Sequence, residues 1–239
     1  PWNPPEAREI DHAHQYKACM ALAKKSPEEA FETALTWRDL GGGDAAEHCV
    51  AAALIGLGQY TDAARRMETL AGKAKQNSSV KAGLLAHAAQ AWLLADQAAR
   101  AEAVLTAALK LTPEDSALFV DRAQARAALK DFKGALEDLN HAIAREDRRA
   151  DAYVFRAATY RFLDKPELAL ADVERALALA PTHAEGLLER GILRRLRQDN
   201  DGARQDWLRV LRLAPKSRAA DASRRNLEKM DVKPDEPQR

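Results

Sequence analysis

Pro113 and Pro181 lie 68 residues apart, Pro181 and Pro215 lie 34 apart, and this interval constrains the fold more than any other feature of the chain. Asp147 fills the slot that the prolines skip. Small residues keep the same step. Ala101, Ala135, Ala169 and Ala203 form one series, and Ala89, Ala123, Ala157 and Gly191 form a second. Ala108, Ala142 and Ala176 form a third, with Val210 in its last slot. A fixed interval of this size marks a stacked-repeat architecture. Small residues let helices approach closely, and proline stops a helix because it cannot donate the next backbone hydrogen bond. A single short unit cannot bury its own apolar face, so successive units must stack, each touching its neighbours.

The stretches KDFKGALEDLNHAIARE and KPELALADVERALALAP carry the pattern most plainly. On these residues the chain resembles the tetratricopeptide-repeat family, of bacterial type, whose unit is a 34-residue helix–turn–helix. The resemblance implies an all-α fold: a right-handed superhelix, an α-solenoid of about six helix hairpins. Its units run 11–43, 44–81, 82–115, 116–149, 150–183 and 184–217. The unit at 44–81 is about four residues long, and KQNSSV is expected to hold the extra length. Residues 1–10 read as an N-terminal extension, 218–230 as a capping helix and 231–239 as a disordered tail. Ser26-Pro27-Glu28-Glu29 reads as a helix start with a capping box. Gly41-Gly42-Gly43 reads as a helix end, with Asp44 capping the next helix.

Composition excludes several classes. The chain is 46% hydrophobic and 5% aromatic, with a net charge of +1, so it has no general pull toward nucleic acid or a membrane surface. No apolar run approaches the roughly 18–20 residues that span a bilayer. The chain begins at Pro1 without a methionine, so removal of a leader or a trimmed N-terminus is expected. From Arg190 to Arg225 eleven Lys and Arg face four Asp, which reads as a solvated helical face, with an acidic partner as the alternative.

In the family the first helix of each unit lines the inner, concave face, where an extended peptide or a partner's helix binds. The resemblance places Gln15, Tyr16, His48, His87, Gln90, Asp121 and Gln124 on that face. Asp151, Phe155, Arg161, Phe162, Glu189 and Arg195 follow in the last two units. The family's best-known groove clamps a C-terminal carboxylate with lysine, asparagine and arginine. The corresponding slots here hold Gln15, Cys19, Cys49, Gly83 and His87, so that clamp is absent. The two cysteines, Cys19 and Cys49, fall in slots that face each other across adjacent first helices. The resemblance therefore allows a disulfide between them; two inert buried thiols, or a redox or metal role, remain the alternatives. A bridge implies a periplasmic or extracellular compartment, and free thiols a cytoplasmic one.

His12 and His14 are two apart and point to different sides of a helix, so they do not form a metal pair. The glycine run lacks the Lys-Ser/Thr of a phosphate loop. Asn77-Ser78-Ser79 matches a glycosylation acceptor pattern. Nothing in the spacing assembles a catalytic triad or a metal cluster. The sequence thus leads to a non-catalytic module without cofactor or metal, binding a protein or peptide as adaptor, scaffold or assembly factor. A self-assembling homo-oligomer is the alternative, and an enzyme or metal protein on the same scaffold a more distant one.

Overall fold

The computed structural model describes residues 12–73 and 77–231. The N-terminal extension lies outside them, as does the tail beyond Asp231. Thirteen α-helices and no strand occur among the described residues. The chain divides into two compact units, Pro1–Pro113 and Glu114–Arg239. In the first, α1 (His12–Lys25) and α2 (Pro27–Trp37) form one hairpin, and α3 (Gly43–Gly56) and α4 (Tyr60–Lys73) the next. The third hairpin is α5 (Ser78–Leu94) with α6 (Ala98–Leu111). In the second unit, α7 (Ser116–Ala128) pairs with α8 (Phe132–Arg145) and α9 (Ala150–Phe162) with α10 (Pro166–Leu179). There α11 (Ala184–Leu196) pairs with α12 (Asn200–Leu213), and α13 (Arg218–Asp231) packs over α11 and α12.

The period is visible in the backbone. Asp96, Lys130, Asp164 and Gln198 take left-handed φ values of 58°, 64°, 56° and 65°. They lie 34 residues apart, one in the turn of each of the last four hairpins. A non-glycine residue there costs about 1–2 kcal/mol, which the packing of the two helices offsets. Gly58 serves the same turn between α3 and α4, 38 residues before Asp96. Among the described residues the four extra residues are found in α5. They form an added first turn of α5, which begins at Ser78 because the Asn77 side chain accepts a hydrogen bond from the Val80 N–H. Asn77 thus acts as a helix cap. Before each proline, Thr112, Ala180 and Ala214 leave helical geometry, with ψ of 78°, 85° and 60°. A following proline disfavours the helical region for the residue before it. Glu146, ahead of Asp147, adopts the same break without a proline.

The small-residue series sit where helices touch. Ala89, Ala123, Ala157, Ala101, Ala135, Ala169 and Ala203 are all buried. Gly191 shows why size matters. A Cβ added there would lie 2.3 Å from Nε1 of Trp207, whose indole N–H donates to the Leu188 carbonyl. The residues one and two periods before Trp207 are Val173 and Leu139, and those before Gly191 are Ala157 and Ala123; Val173 and Ala157 share one buried cluster. A larger residue on the second helix is matched by a smaller one on the first.

Two helix starts differ from the sequence expectation. Ser26 makes no side-chain cap bond. It is the single residue between α1 and α2, and its backbone N–H already closes α1 on Leu22 while its carbonyl opens α2. Asp44 lies inside the first turn of α3, and Gly42 holds the cap position without a side chain to offer. Gly42 is confined by Trp37 and Ala46: a Cβ would come within 2.8 Å of both Nε1 and the carbonyl oxygen of Trp37. A wide helical turn, Arg38–Gly42, intervenes, with Gly41 at φ 92°.

Candidate functional site

In the first unit three first-helix residues form a continuous contact. The Tyr16 hydroxyl on α1 lies 2.8 Å from Nδ1 of His48 on α3. Nε2 of His48 lies 3.2 Å from Nδ1 of His87 on α5. Burial, and secondarily the neighbouring His87, lowers the His48 pKa to about 4, and desolvation lowers that of His87. Both rings are therefore neutral at pH 7. Desolvation also raises the Tyr16 hydroxyl. Beside this row Cys19 and Cys49 are joined in a disulfide that ties α1 to α3, with Cα atoms 6.1 Å apart. Tyr16 and His48 open into a small cavity floored by Leu70, Val80 and Leu84. Gln15 turns elsewhere, into a cavity with Trp37 and Leu40. Gln90 is exposed on α5.

In the second unit the first-helix residues divide into three groups. Asp121 on α7 is half-buried, and desolvation raises its pKa to about 6; Arg149 opposes that shift, and Asp151 and Asp115 reinforce it. Arg149 pairs with Asp151 at 3.0 Å and with Glu146 at 3.3 Å, and donates to Ser116. Gln124 and Phe155 are half-buried on α7 and α9. Arg161 and Glu189 form the second group: they engage each other bidentately at 2.6 and 3.2 Å, so their charges are mutually satisfied. Phe162 is 57% exposed but stacks on Phe132 with centroids 4.7 Å apart, and the Arg161 guanidinium covers it at 4.5 Å. Arg195 stands apart, bonded to Asn200 and lining a shallow pocket with Leu196, Lys229 and Met230.

A third set was not picked out from the sequence, although the 34-residue step contains it. Arg122, Arg156 and Arg190 on the first helices pair bidentately with Asp138, Asp172 and Asp206 on the second helices. All three carboxylates are buried. Arg156 also donates to Asn140, and Arg190 to Glu174, each on the second helix of the preceding hairpin. Each arginine therefore ties its own hairpin together, and Arg156 and Arg190 also bind theirs to the one before. The ladder also absorbs part of the basic C-terminal segment. Arg190 and Arg194 share Asp206, Arg204 pairs with Asp231, and Arg224 with Asp221.

Among the described residues no group of three or more His, Cys, Asp or Glu is placed to hold a metal ion. No helix among them is long and apolar enough to cross a membrane.

No protein-family profile and no curated protein matches the chain. Solved structures do. A tetratricopeptide-repeat protein of Parabacteroides merdae is similar over 93% of this chain and 87% of its own, at 15% identity and a TM-score of 0.74. A thermophilic tetratricopeptide-repeat protein of Thermus thermophilus is similar over 80% of this chain and all of its own, at 21% identity and a TM-score of 0.67. YrrB, described as a TPR protein with an unusual peptide-binding site, covers 74% of this chain with 90% of its own, at 18% identity and a TM-score of 0.54. Paired helices at a 34-residue step, small residues at each close approach and these likenesses converge: the chain has the fold of the tetratricopeptide-repeat proteins.

Proposed function

We propose that the chain is a non-catalytic interaction module that holds a protein or peptide partner on its first-helix faces, as adaptor, scaffold or assembly factor. The observation that carries this reading is the set of side chains the packing leaves underused there. Gln124 and Phe155 are half-buried on α7 and α9, and the Asp121 carboxyl on α7 is held partly desolvated. Aromatic and polar groups of this kind, set in a partly dry surface, are what partner side chains engage. YrrB, a protein of the same fold, has a peptide-binding site. The Cys19–Cys49 bridge supports work in an oxidising compartment, the bacterial periplasm or the extracellular space.

The test is quantitative capture of exported proteins by the full chain, by a Gln124→Ala/Phe155→Ala variant, and by a Glu137→Ala variant on exposed α8 surface. Circular dichroism would confirm that each folds. Partners lost with the first variant and retained with the second support the reading. Equal recovery by both variants overturns it.

A further inference from the structure

His48 and His87 sit on the first helices of consecutive hairpins, 39 residues apart. Nε2 of one and Nδ1 of the other are 3.2 Å apart, and the ring centroids are 5.2 Å apart. Two nitrogens bound to one tetrahedral ion at about 2.0–2.1 Å lie roughly 3.3–3.4 Å from each other. The spacing of the two imidazoles is therefore already that of one edge of a coordination tetrahedron. His87 is exposed and can turn its lone pair toward an ion lying off the line between the nitrogens. His48 is held from behind by the Tyr16 hydroxyl at 2.8 Å. A hydrogen bond to the distal nitrogen is the usual way a ligating histidine is oriented.

We propose that His48 and His87 form a two-imidazole site for a divalent transition metal of the zinc, copper and nickel class, with Tyr16 positioning the His48 ring. Imidazole nitrogens suit these ions, and magnesium or calcium would take oxygen donors instead. The proton balance closes. With the His48 proton on Nε2 in the metal-free pair, Tyr16 donates to Nδ1 of His48 and Nε2–H donates to His87. When the ion binds, the His48 proton sits on Nδ1 and is accepted by the Tyr16 oxygen, whose own proton turns to solvent. Both rings stay neutral, and no proton is released. No third His, Cys, Asp or Glu among the described residues joins the pair, so the remaining positions are open to water or to a donor from a bound molecule. An open site with two protein ligands exchanges its ion readily. This inference does not depend on the partner-binding reading.

The experiment is titration of the full chain with Cu²⁺, followed by calorimetry and by electron paramagnetic resonance. The variants are His48→Gln, His87→Gln, Tyr16→Phe and His12→Gln/His14→Gln, each checked for fold by circular dichroism. One equivalent of Cu²⁺ with hyperfine coupling to two imidazoles is expected. That signal should vanish in His48→Gln and in His87→Gln and persist in the His12→Gln/His14→Gln variant. Tyr16→Phe should keep the two-nitrogen spectrum while weakening affinity about tenfold. Because His87 is exposed, His87→Gln tests the site even if His48→Gln unfolds. Binding that survives His87→Gln, or that is lost only in the His12→Gln/His14→Gln variant, overturns the assignment.

Discussion

Adding one methyl group at Gly191 should have opposite effects in two backgrounds. In an isolated helix, Gly→Ala stabilises by about 1 kcal/mol, because glycine loses more backbone entropy on folding. At Gly191 the new Cβ would stand 2.3 Å from Nε1, 2.7 Å from Cδ1 and 2.9 Å from Cε2 of Trp207. That indole is 2% exposed and cannot swing away, and its N–H is engaged with the Leu188 carbonyl. Overpacking of a rigid core costs about 1–3 kcal/mol beyond any propensity gain, so Gly191→Ala alone should destabilise by about 2 kcal/mol. Trp207→Leu alone should also destabilise, by about 2–3 kcal/mol, through the cavity it leaves. With leucine at 207 and alanine at 191 the two slots hold the residues found two periods earlier, Leu139 and Ala123, both buried. Gly191→Ala should then stabilise by about 1 kcal/mol, so that the two changes couple by roughly 3 kcal/mol. Urea unfolding of the four species, followed by helix signal with the slope checked for constancy, measures this. An alanine at 191 with the same effect in both backgrounds would refute the size-matching argument.

Three further outcomes follow from the geometry. Arg156→Ala should destabilise the second unit by about 2–4 kcal/mol, because it leaves the buried Asp172 carboxylate unpaired; Arg156→Leu/Asp172→Leu should cost less than the single change, as read by thermal unfolding. The Asp121 pKa is raised from 3.8 to about 6, so the folded state holds that proton more tightly and its charge costs stability above pH 6; the cost is relieved as pH falls from 6 toward 4. Asp121→Asn should therefore stabilise by about 1–2 kcal/mol at pH 7.5 and by almost nothing at pH 3.5, measured by urea titration at each pH. Reducing the Cys19–Cys49 bridge, which closes a loop with a sequence separation of 30, should lower the stability of the first unit by about 3–4 kcal/mol, seen as earlier hydrogen exchange in α1 with α9–α12 unchanged.

The repeat was legible because its signals are backbone rules. Proline ends a helix whatever surrounds it, and a residue at the helix–helix contact must be small in every copy. Trp207 shares its slot with Val173 and Leu139, and all three are buried. Side-chain partnerships were less legible. Arg161 and Glu189 are 28 residues apart on consecutive first helices, and only the rotation of those helices decides that they meet. Two flexible charged side chains at groove slots look the same in sequence whether they face a partner or each other. The start of α3 was misjudged for a local reason: the wide turn shifts the cap from Asp44 to Gly42. The Arg–Asp ladder is the opposite case. Arg122, Arg156 and Arg190, and Asp138, Asp172 and Asp206, repeat at the same step as the alanines. They could have been found by asking which charged residues keep the period. A charge held in register through three copies of a buried contact serves packing, because a ligand-facing residue need not recur.

The two units join their hairpins by different chemistry. In the second, the ladder uses the first-helix position that holds Arg122, Arg156 and Arg190. One period before Arg122 that position is Ala88, which packs with Met67 and Ala51 in an apolar cluster. The first unit has no arginine there and carries instead a covalent bridge between α1 and α3 and an imidazole contact between α3 and α5. The consequence concerns where binding chemistry can reside. A guanidinium fixed by a buried carboxylate is unavailable to a partner, so much of the charge on the second unit is internal. The first-helix side chains it leaves least committed are Asp121, Gln124 and Phe155, while Phe162 and Arg195 are exposed beside partners of their own. In the first unit the helices are joined by apolar contacts, the disulfide and scattered polar contacts such as the Trp92 indole on Glu68, and Tyr16, His48 and His87 form a partly exposed row. The row of hydroxyl and imidazole groups thus joins α1, α3 and α5 as the arginine ladder joins later helices, but through ring nitrogens that the proposed ion would compete for.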